Sequence, residues 1–229
     1  MVTIRAVVAS VPERAPQARA LIASLKAEGF TVDQIEDREN RGVWPTVREA
    51  WLTGAASGTS HTMVIQDDVL LCRNFGEHVI KAAEARPNDL ISLFSMSGEI
   101  KTAYIARYTW AVSPTVSWGQ GTILNRSLAL EFVKWCDLNV RPDYRWDDGR
   151  LALWCLNTGR QAYLTVPSLL QHVDGPSTVG NPQRIGGKRR QASTFGFAPP
   201  KNFMDLKACK LKGHRIGEYK NWEVTCTTI

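Results

Sequence analysis

Two pairs of adjacent carboxylates set the chemistry this 229-residue chain could perform. Gln66-Asp67-Asp68 follows the apolar run His61-Thr62-Met63-Val64-Ile65. Two carboxylates at the end of a buried strand are costly unless a cation neutralises them. Hard oxygen donors at a strand tip suit Mg2+ or Mn2+ holding a diphosphate. An exposed acidic turn accounts for the same residues without any ligand. Asp147-Asp148 opens a second stretch, in which Leu151, Ala152, Trp154 and Cys155 are apolar. Aspartate suits a helix N-terminus for capping and dipole reasons alone. Placed beside an acceptor hydroxyl, one of the two would be a general base.

His172 follows an apolar strand and a Pro turn and precedes Gly175-Pro176-Ser177. It is a third metal ligand if it meets the first acid pair, and a structural histidine otherwise. Arg14 and Arg41 each follow a predicted strand and are placed to pair with phosphate oxygens. Gly119 and Gly121 form part of a dinucleotide fingerprint, but they do not follow the first strand and lack the third glycine, so that reading is rejected. Trp44, Trp146 and Trp154 read as core, whereas Trp118 sits in a Gly-rich loop able to shape a sugar or base pocket.

The elements that must position these residues alternate. Thr3 to Ser10 reads as a buried strand and Ala15 to Glu28 as a helix with Gly29 at its C-terminal turn. Phe30 to Glu36 is a second strand, Pro45 to Ala56 a helix, Thr62 to Ile65 a third strand, Phe75 to Ala85 a helix and Leu90 to Phe94 a fourth strand. This order implies an α/β fold with a mostly parallel central sheet flanked by helices. Ligands of such sheets sit beyond the carboxyl ends of strands, where Pro12, Arg14, Asp37, Arg41, Asp67 and Asp68 fall. The second half is less regular. Tyr104 to Val116 reads as a β-meander, Leu128 to Cys136 as a helix capped by Asn125 or Ser127, and Gln161 to Val166 as a strand.

Composition fits one globular domain with an extension: 44% hydrophobic, 22% charged, with no apolar run long enough for a membrane span. The N-terminus lacks the pattern of a signal peptide. Five scattered cysteines with no CxxC spacing suggest reduced, mostly buried thiols and a cytoplasmic setting. The net charge of +6 is concentrated: Gln183 to Lys220 holds ten basic residues against Asp205 and Glu218, so it carries +8 and the rest of the chain −2. That block, with Arg184, Lys188, Arg189 and Arg190 at its start, is either a footprint for a polyanion such as nucleic acid or a solvated tail.

Taken in order, VVASVPER (7–14), Asp37, GVWPTVREAW (42–51), VIQDDVLLCRNF (64–75), WGQGTILNRS (118–127), WDDGRLALW (146–154) and VPSLLQHVDGPSTVG (166–180) resemble a glycosyltransferase of the GT-A fold. The chain is similar to small phage-type members and distantly to bacterial surface-sugar and collagen-type galactosyltransferases. The resemblance spans residues 3–180. It implies a catalytic domain over 1–182, a basic flap or extension over 183–229, a nucleotide-sugar donor (a UDP-sugar) and Mn2+ or Mg2+. It also implies roles: Asp68, Asp67 and His172 toward the metal; Pro12, Arg14, Asp37, Arg41, Gln66 and Asp67 toward the donor; Trp118, Gly119 and Gln120 toward the acceptor; and Asp148, or Asp147, as the base of an inverting reaction. Gln66 departs from the family's acidic first position.

The acceptor favoured by the basic block is a 5-hydroxymethylpyrimidine in DNA, reached in the cytoplasm of a host cell if the chain is phage-encoded. Surface polysaccharide, lipid-linked sugar or protein acceptors fit the family equally. Two readings of another class stand beside these: a metal-dependent nuclease, and an inactive sugar-nucleotide-binding module.

Overall fold

The computed structural model describes residues 1–116, 118–173, 184–185, 188–196 and 208–210, without the side chains of 184, 185, 188, 189 and 210. The first half follows the alternation read from the sequence. β1 (Ile4–Ser10) leads through a 3-10 turn (Pro12–Arg14) into α1 (Ala15–Ala27), β2 (Thr31–Glu36), α2 (Val43–Ala56) and β3 (His61–Gln66). A short strand β4 (Val69–Leu71) precedes α3 (Phe75–Ala85) and β5 (Leu90–Ser92). Then follow α4 (Gly98–Ile105), β6 (Trp110–Ser113), β7 (Gly121–Asn125), α5 (Arg126–Asn139), α6 (Asp147–Thr158), β8 (Ala162–Thr165) and β9 (Leu170–His172). The two-residue strands β10 (Arg184–Ile185) and β11 (Lys188–Arg189) pair with each other, and β12 is Ala208–Lys210.

Among the described residues, eight strands form one sheet in the order β12-β6-β8-β5-β7-β3-β1-β2. β2, β1, β3, β5 and β8 point one way, and β7, β6 and β12 the other. The sheet is therefore mixed, with the parallel part gathered around β1. β12 brings residues of the basic extension into the sheet beside β6.

Side chains alternate along each strand, so each face has its own core. Val7, Ala9, Val64 and Leu124 face α2, α5 and α6, where Trp44, Trp51 and Trp154 surround Phe132. Ala6, Val8, Met63, Ile65 and Ile123 face the other way, toward Leu21, Leu25, Phe75 and Val79 of α1 and α3. Trp44 and Trp154 are core residues as expected. Trp118 lines a cavity as expected, and Trp146, read as core, lines it too.

One expectation fails in the second half. Residues 104–116 do not form a β-meander. Ser97 caps α4, its Oγ accepting from the Glu99 N–H at 3.2 Å, and Ile100 and Ala103 bury one side of that helix. Only Trp110–Ser113 remains as strand. The aromatic and β-branched content of the stretch suggested strands, but the cap and buried helix face decide the local structure. At α5 the cap is Asn125, whose Oδ1 accepts from the Leu128 N–H at 2.9 Å.

Candidate active site

One cavity of about 340 Å3 opens at the edge of the sheet where β1 and β3 end. Because β1 and β3 are parallel, Ser10 and Gln66 lie at the same edge. Because β7 runs against β3, its start and the loop Trp118-Gly119-Gln120 lie there too. α6 begins at this edge with Asp147 and Asp148. The cavity is lined by Pro12, Arg14, Asp37, Gln66, Asp67, Asp68, Trp118, Gly119, Gln120, Asp147, Asp148 and Arg190. Residues separated by more than a hundred positions in the chain thus share one space.

The first acid pair is held by cation and backbone. Arg14 Nη1 lies 2.9 Å from Asp67 Oδ1 and 2.5 Å from Asp68 Oδ2. Asp67 Oδ2 accepts from the Val11 N–H at 3.0 Å. Burial raises the pKa of Asp67 against these contacts. Burial also acts to raise Asp68, but the His172 hydrogen bond and the Arg14 charge outweigh it, and its pKa lies below the ordinary value.

His172 reaches this pair through β9, which runs antiparallel to β4 with His172 opposite Val69. The Val173 N–H donates to the Asp68 carbonyl at 2.8 Å. His172 Nε2 lies 3.3 Å from Asp68 Oδ2 and 3.1 Å from Arg190 Nη2. Arg190 enters from a segment fixed over β9. The Ala192 N–H donates to Gln171 Oε1 at 2.7 Å, the Ser168 N–H to Thr194 Oγ1 at 3.1 Å, and Thr194 is fully buried.

The second acid pair sits on a shelf fixed from several sides. Asp147 is buried and Asp148 is half-buried at the cavity wall. Gln66 Nε2 donates to Asp147 Oδ2 at 3.2 Å. A Cβ on Gly119 would stand 2.4 Å from that same oxygen, so the loop passes where only glycine fits. A Cβ on Gly149 would stand 1.7 Å from the Tyr144 hydroxyl. Arg150, fully buried, donates from Nη2 to the Arg141 carbonyl at 2.8 Å and the Tyr144 carbonyl at 2.6 Å, and stacks 4.4 Å from the Trp44 ring. Burial raises the pKa of Asp147. Burial first, and the charge of Asp147 second, push Asp148 up to about 7.

Other expected site residues have different surroundings. Both oxygens of Asp37 are taken by backbone: Oδ1 accepts from the Arg41 N–H and Oδ2 from the Gly42 N–H, each at 2.8 Å. Arg41 pairs with Glu49 at 2.9 Å and is not among the cavity-lining residues. Arg184, Lys188 and Arg189, expected on nucleic acid, have side chains outside the described residues, as do most residues of the expected flap or extension over 183–229. Asn40, Thr46 and Trp146 line the cavity without having been expected there. Asn40 carried one local signal, its place in a polar loop; there it adopts a φ of 53°, a conformation Asn tolerates well.

The fit to a divalent cation rests on unpartnered atoms. Asp68 Oδ1 is buried with no hydrogen-bond partner, and so is His172 Nδ1. Among the described residues, no group of three or more His, Cys, Asp or Glu could enclose a metal. Mg2+ characteristically takes one or two carboxylates and completes its shell with phosphates and water. Asp68 fits that arrangement, not a closed protein cage, and His172 adds an imidazole beside it. Gln120 Oε1 is a further buried acceptor without a partner in the cavity wall.

No protein-family model matches the chain. No curated protein matches it. Among solved structures, the crystal structure of a mannose-1-phosphate geranyltransferase from Thermus thermophilus aligns with a TM-score of 0.43 and 8% identity, over 72% of this chain and 74% of that one. Residue roles do not transfer at that level. Among the described residues, no helix is long and apolar enough to cross a membrane.

Proposed function

We propose that this chain is a glycosyltransferase, moving a sugar from a UDP-sugar to a hydroxyl acceptor with inversion at the anomeric carbon. The observation that carries the reading is the meeting of Asp67–Asp68, with His172 buried 3.3 Å behind Asp68, and Asp147–Asp148 in one cavity at the strand ends. The cavity volume lies within the range of small-molecule sites. One acid pair beside cationic side chains suits a diphosphate, and the other suits a hydroxyl.

In this reading Asp148 accepts the proton of the acceptor hydroxyl. That oxygen forms the new bond to the anomeric carbon while the bond from that carbon to the diphosphate oxygen breaks. Arg14 and Arg190 face the charge gathering on the leaving diphosphate. A divalent cation, Mn2+ or Mg2+, would be held by Asp68 and His172 and would supply Lewis-acid neutralisation of that charge. Trp118 and Gln120 offer an aromatic surface and a hydrogen-bond acceptor to a sugar or base.

The acceptor we propose is a 5-hydroxymethylpyrimidine in DNA. Support comes from the +8 segment over Gln183 to Lys220, which matches the need to hold phosphates around a modified base. The test incubates the protein, MnCl2 and a panel of UDP-sugars with DNA containing hydroxymethylcytosine or hydroxymethyluracil, and weighs the released nucleosides. A hexose-sized gain on the modified base alone is expected. UDP release without a gain would move the acceptor to a glycan, lipid-linked sugar or protein. No gain and no metal-dependent UDP release overturns the glycosyltransferase reading, and strand cleavage without any donor would replace it with a nuclease.

A further inference from the structure

Gln66 occupies the position where the resemblance predicts an acid, and the proposed reaction gives it no part. Its surroundings do. Its backbone N–H donates to the Gln120 carbonyl at 3.1 Å, and its side-chain Nε2 donates to Asp147 Oδ2 at 3.2 Å. That same oxygen is the atom a Cβ on Gly119 would strike. The end of β3, the 118–120 loop and the start of α6 therefore meet at one buried carboxylate oxygen. Asp147 is only 6% exposed, and its neighbour in sequence is Asp148 on the cavity wall.

We propose that Gln66 is a positioning residue, a neutral clamp that fixes Asp147 and through it the placement of Asp148. The amide is required because its partner is a carboxylate. An N–H must face Asp147 Oδ2, and an aspartate or glutamate at 66 presents a second acceptor and a second negative charge at hydrogen-bond distance from a buried carboxylate. A clamp of this kind acts on the alignment of the base and leaves donor binding alone. Small misplacements of a catalytic group cost on the order of 100-fold in rate.

The inference rests on the proposed glycosyl transfer, and the experiment separates the two. Gln66→Leu removes the donor without adding charge. Gln66→Glu turns it into an acceptor. Gln66→Glu combined with Asp147→Asn restores a donor–acceptor pair with its polarity reversed. Steady-state turnover of a UDP-sugar is measured for each, with UDP binding by calorimetry and a thermal midpoint as controls for folding. Both single Gln66 variants are expected to lose about 10-fold to 100-fold in kcat, with KM for the donor and UDP affinity within about 2-fold of wild type. The double variant is expected to recover at least about 10-fold over Gln66→Glu. Wild-type kcat in Gln66→Leu, or a double variant no better than Gln66→Glu, overturns the clamp while leaving glycosyl transfer intact. A loss carried by KM and UDP affinity instead of kcat overturns it too, making Gln66 a donor contact. Absence of turnover in the wild type overturns glycosyl transfer, and the clamp's role in it.

Discussion

Arg14 Nη1 lies 2.5 Å from Asp68 Oδ2, and the same nitrogen reaches Asp67 Oδ1 at 2.9 Å. One guanidinium thus contacts both acids at the tip of β3, and His172 and Arg190 add to it at Asp68. Burial opposes its charge, but Asp68 and Asp67 outweigh that and raise its pKa. Removing Arg14 leaves Asp67 without a charged partner among the described residues and Asp68 with only His172 and Arg190, at a cost approaching the roughly 3–5 kcal/mol of a broken buried pair. Arg14→Met is therefore expected to lower the urea midpoint strongly, and MnCl2 is expected to restore part of the loss where EDTA restores none. An unchanged midpoint would show that the acids do not depend on Arg14.

Arg150 supports the other pair. Its Nη2 binds two backbone carbonyls of the turn that leads into α6, and its plane stacks on Trp44. A lysine cannot reproduce the fork or the stacking. Arg150→Lys is expected to destabilise by about 2 kcal/mol or more and to lower kcat by loosening the turn before Asp147. Urea titration reads the first effect. Steady-state kcat reads the second, and backbone hydrogen exchange over 141–146 faster than in the wild type, with α5 unchanged, ties it to the turn; exchange there equal to wild type would count against it.

The helix that floors the cavity depends on a glycine. A Cβ on Gly54 of α2 would stand 2.1 Å from Thr62 Cγ2 on β3. Gly54→Ala is expected to destabilise by about 1–3 kcal/mol through overpacking. Adding Thr62→Ala removes the struck methyl and hydroxyl and should return part of the loss, since Thr62 Cβ at 2.9 Å remains. If the double variant is no more stable than the single, the two residues are not in the contact described.

How much of this was legible in the sequence differs by element. The strands and helices through Phe94 were readable because β-branched runs alternate with helical spacing, and Gly29 and Asn125 mark helix ends through local chemistry. The position of Asp67 and Asp68 at a strand tip followed from the apolar run before them. β4 was not legible: three residues become a strand only because β9 runs past them from a hundred positions away. The Gln66–Asp147 contact is of the same kind, since it joins a strand end to a helix start through tertiary packing alone. Asp37 was readable as a residue at a strand end, but its backbone partners were not, because they depend on the turn through Asn40 and Gly42. Arg190 read as part of a basic run. Its contact with His172 depends on Ala192 and Thr194 being tied to Gln171 and Ser168.

That contact yields a test of two roles for Arg190. A side chain on a DNA phosphate contributes about one ion to the salt dependence of binding. A side chain in the cavity, 3.1 Å from His172, contributes none. Arg190→Met is expected to leave the salt slope for duplex DNA unchanged while lowering UDP affinity, by about 10-fold for the loss of a charge-assisted contact. A slope reduced by about one, with UDP affinity intact, would place Arg190 on the nucleic acid.

Asp148 is where stability and activity oppose each other. Its pKa of about 7 lies above the ordinary carboxylate value because burial and Asp147 disfavour its charge. The native state therefore keeps a proton that the unfolded chain has released. Between about pH 4 and 7 the unfolded state binds fewer protons, so this group's contribution to stability is largest at low pH and is lost as pH rises through the folded pKa. Asp148→Asn removes the penalty. It is expected to be more stable than wild type at pH 8 by on the order of 2 kcal/mol, with the difference vanishing toward pH 4. Activity should run the other way. The wild-type rate should climb as pH rises through about 7, following the pair as a unit, and Asp148→Asn should lose about 100-fold to 10,000-fold in kcat. Urea midpoints across this pH range, paired with a pH–rate profile, check both limbs. A variant that is less stable at pH 8, or one that keeps wild-type turnover, would remove Asp148 from the role of base.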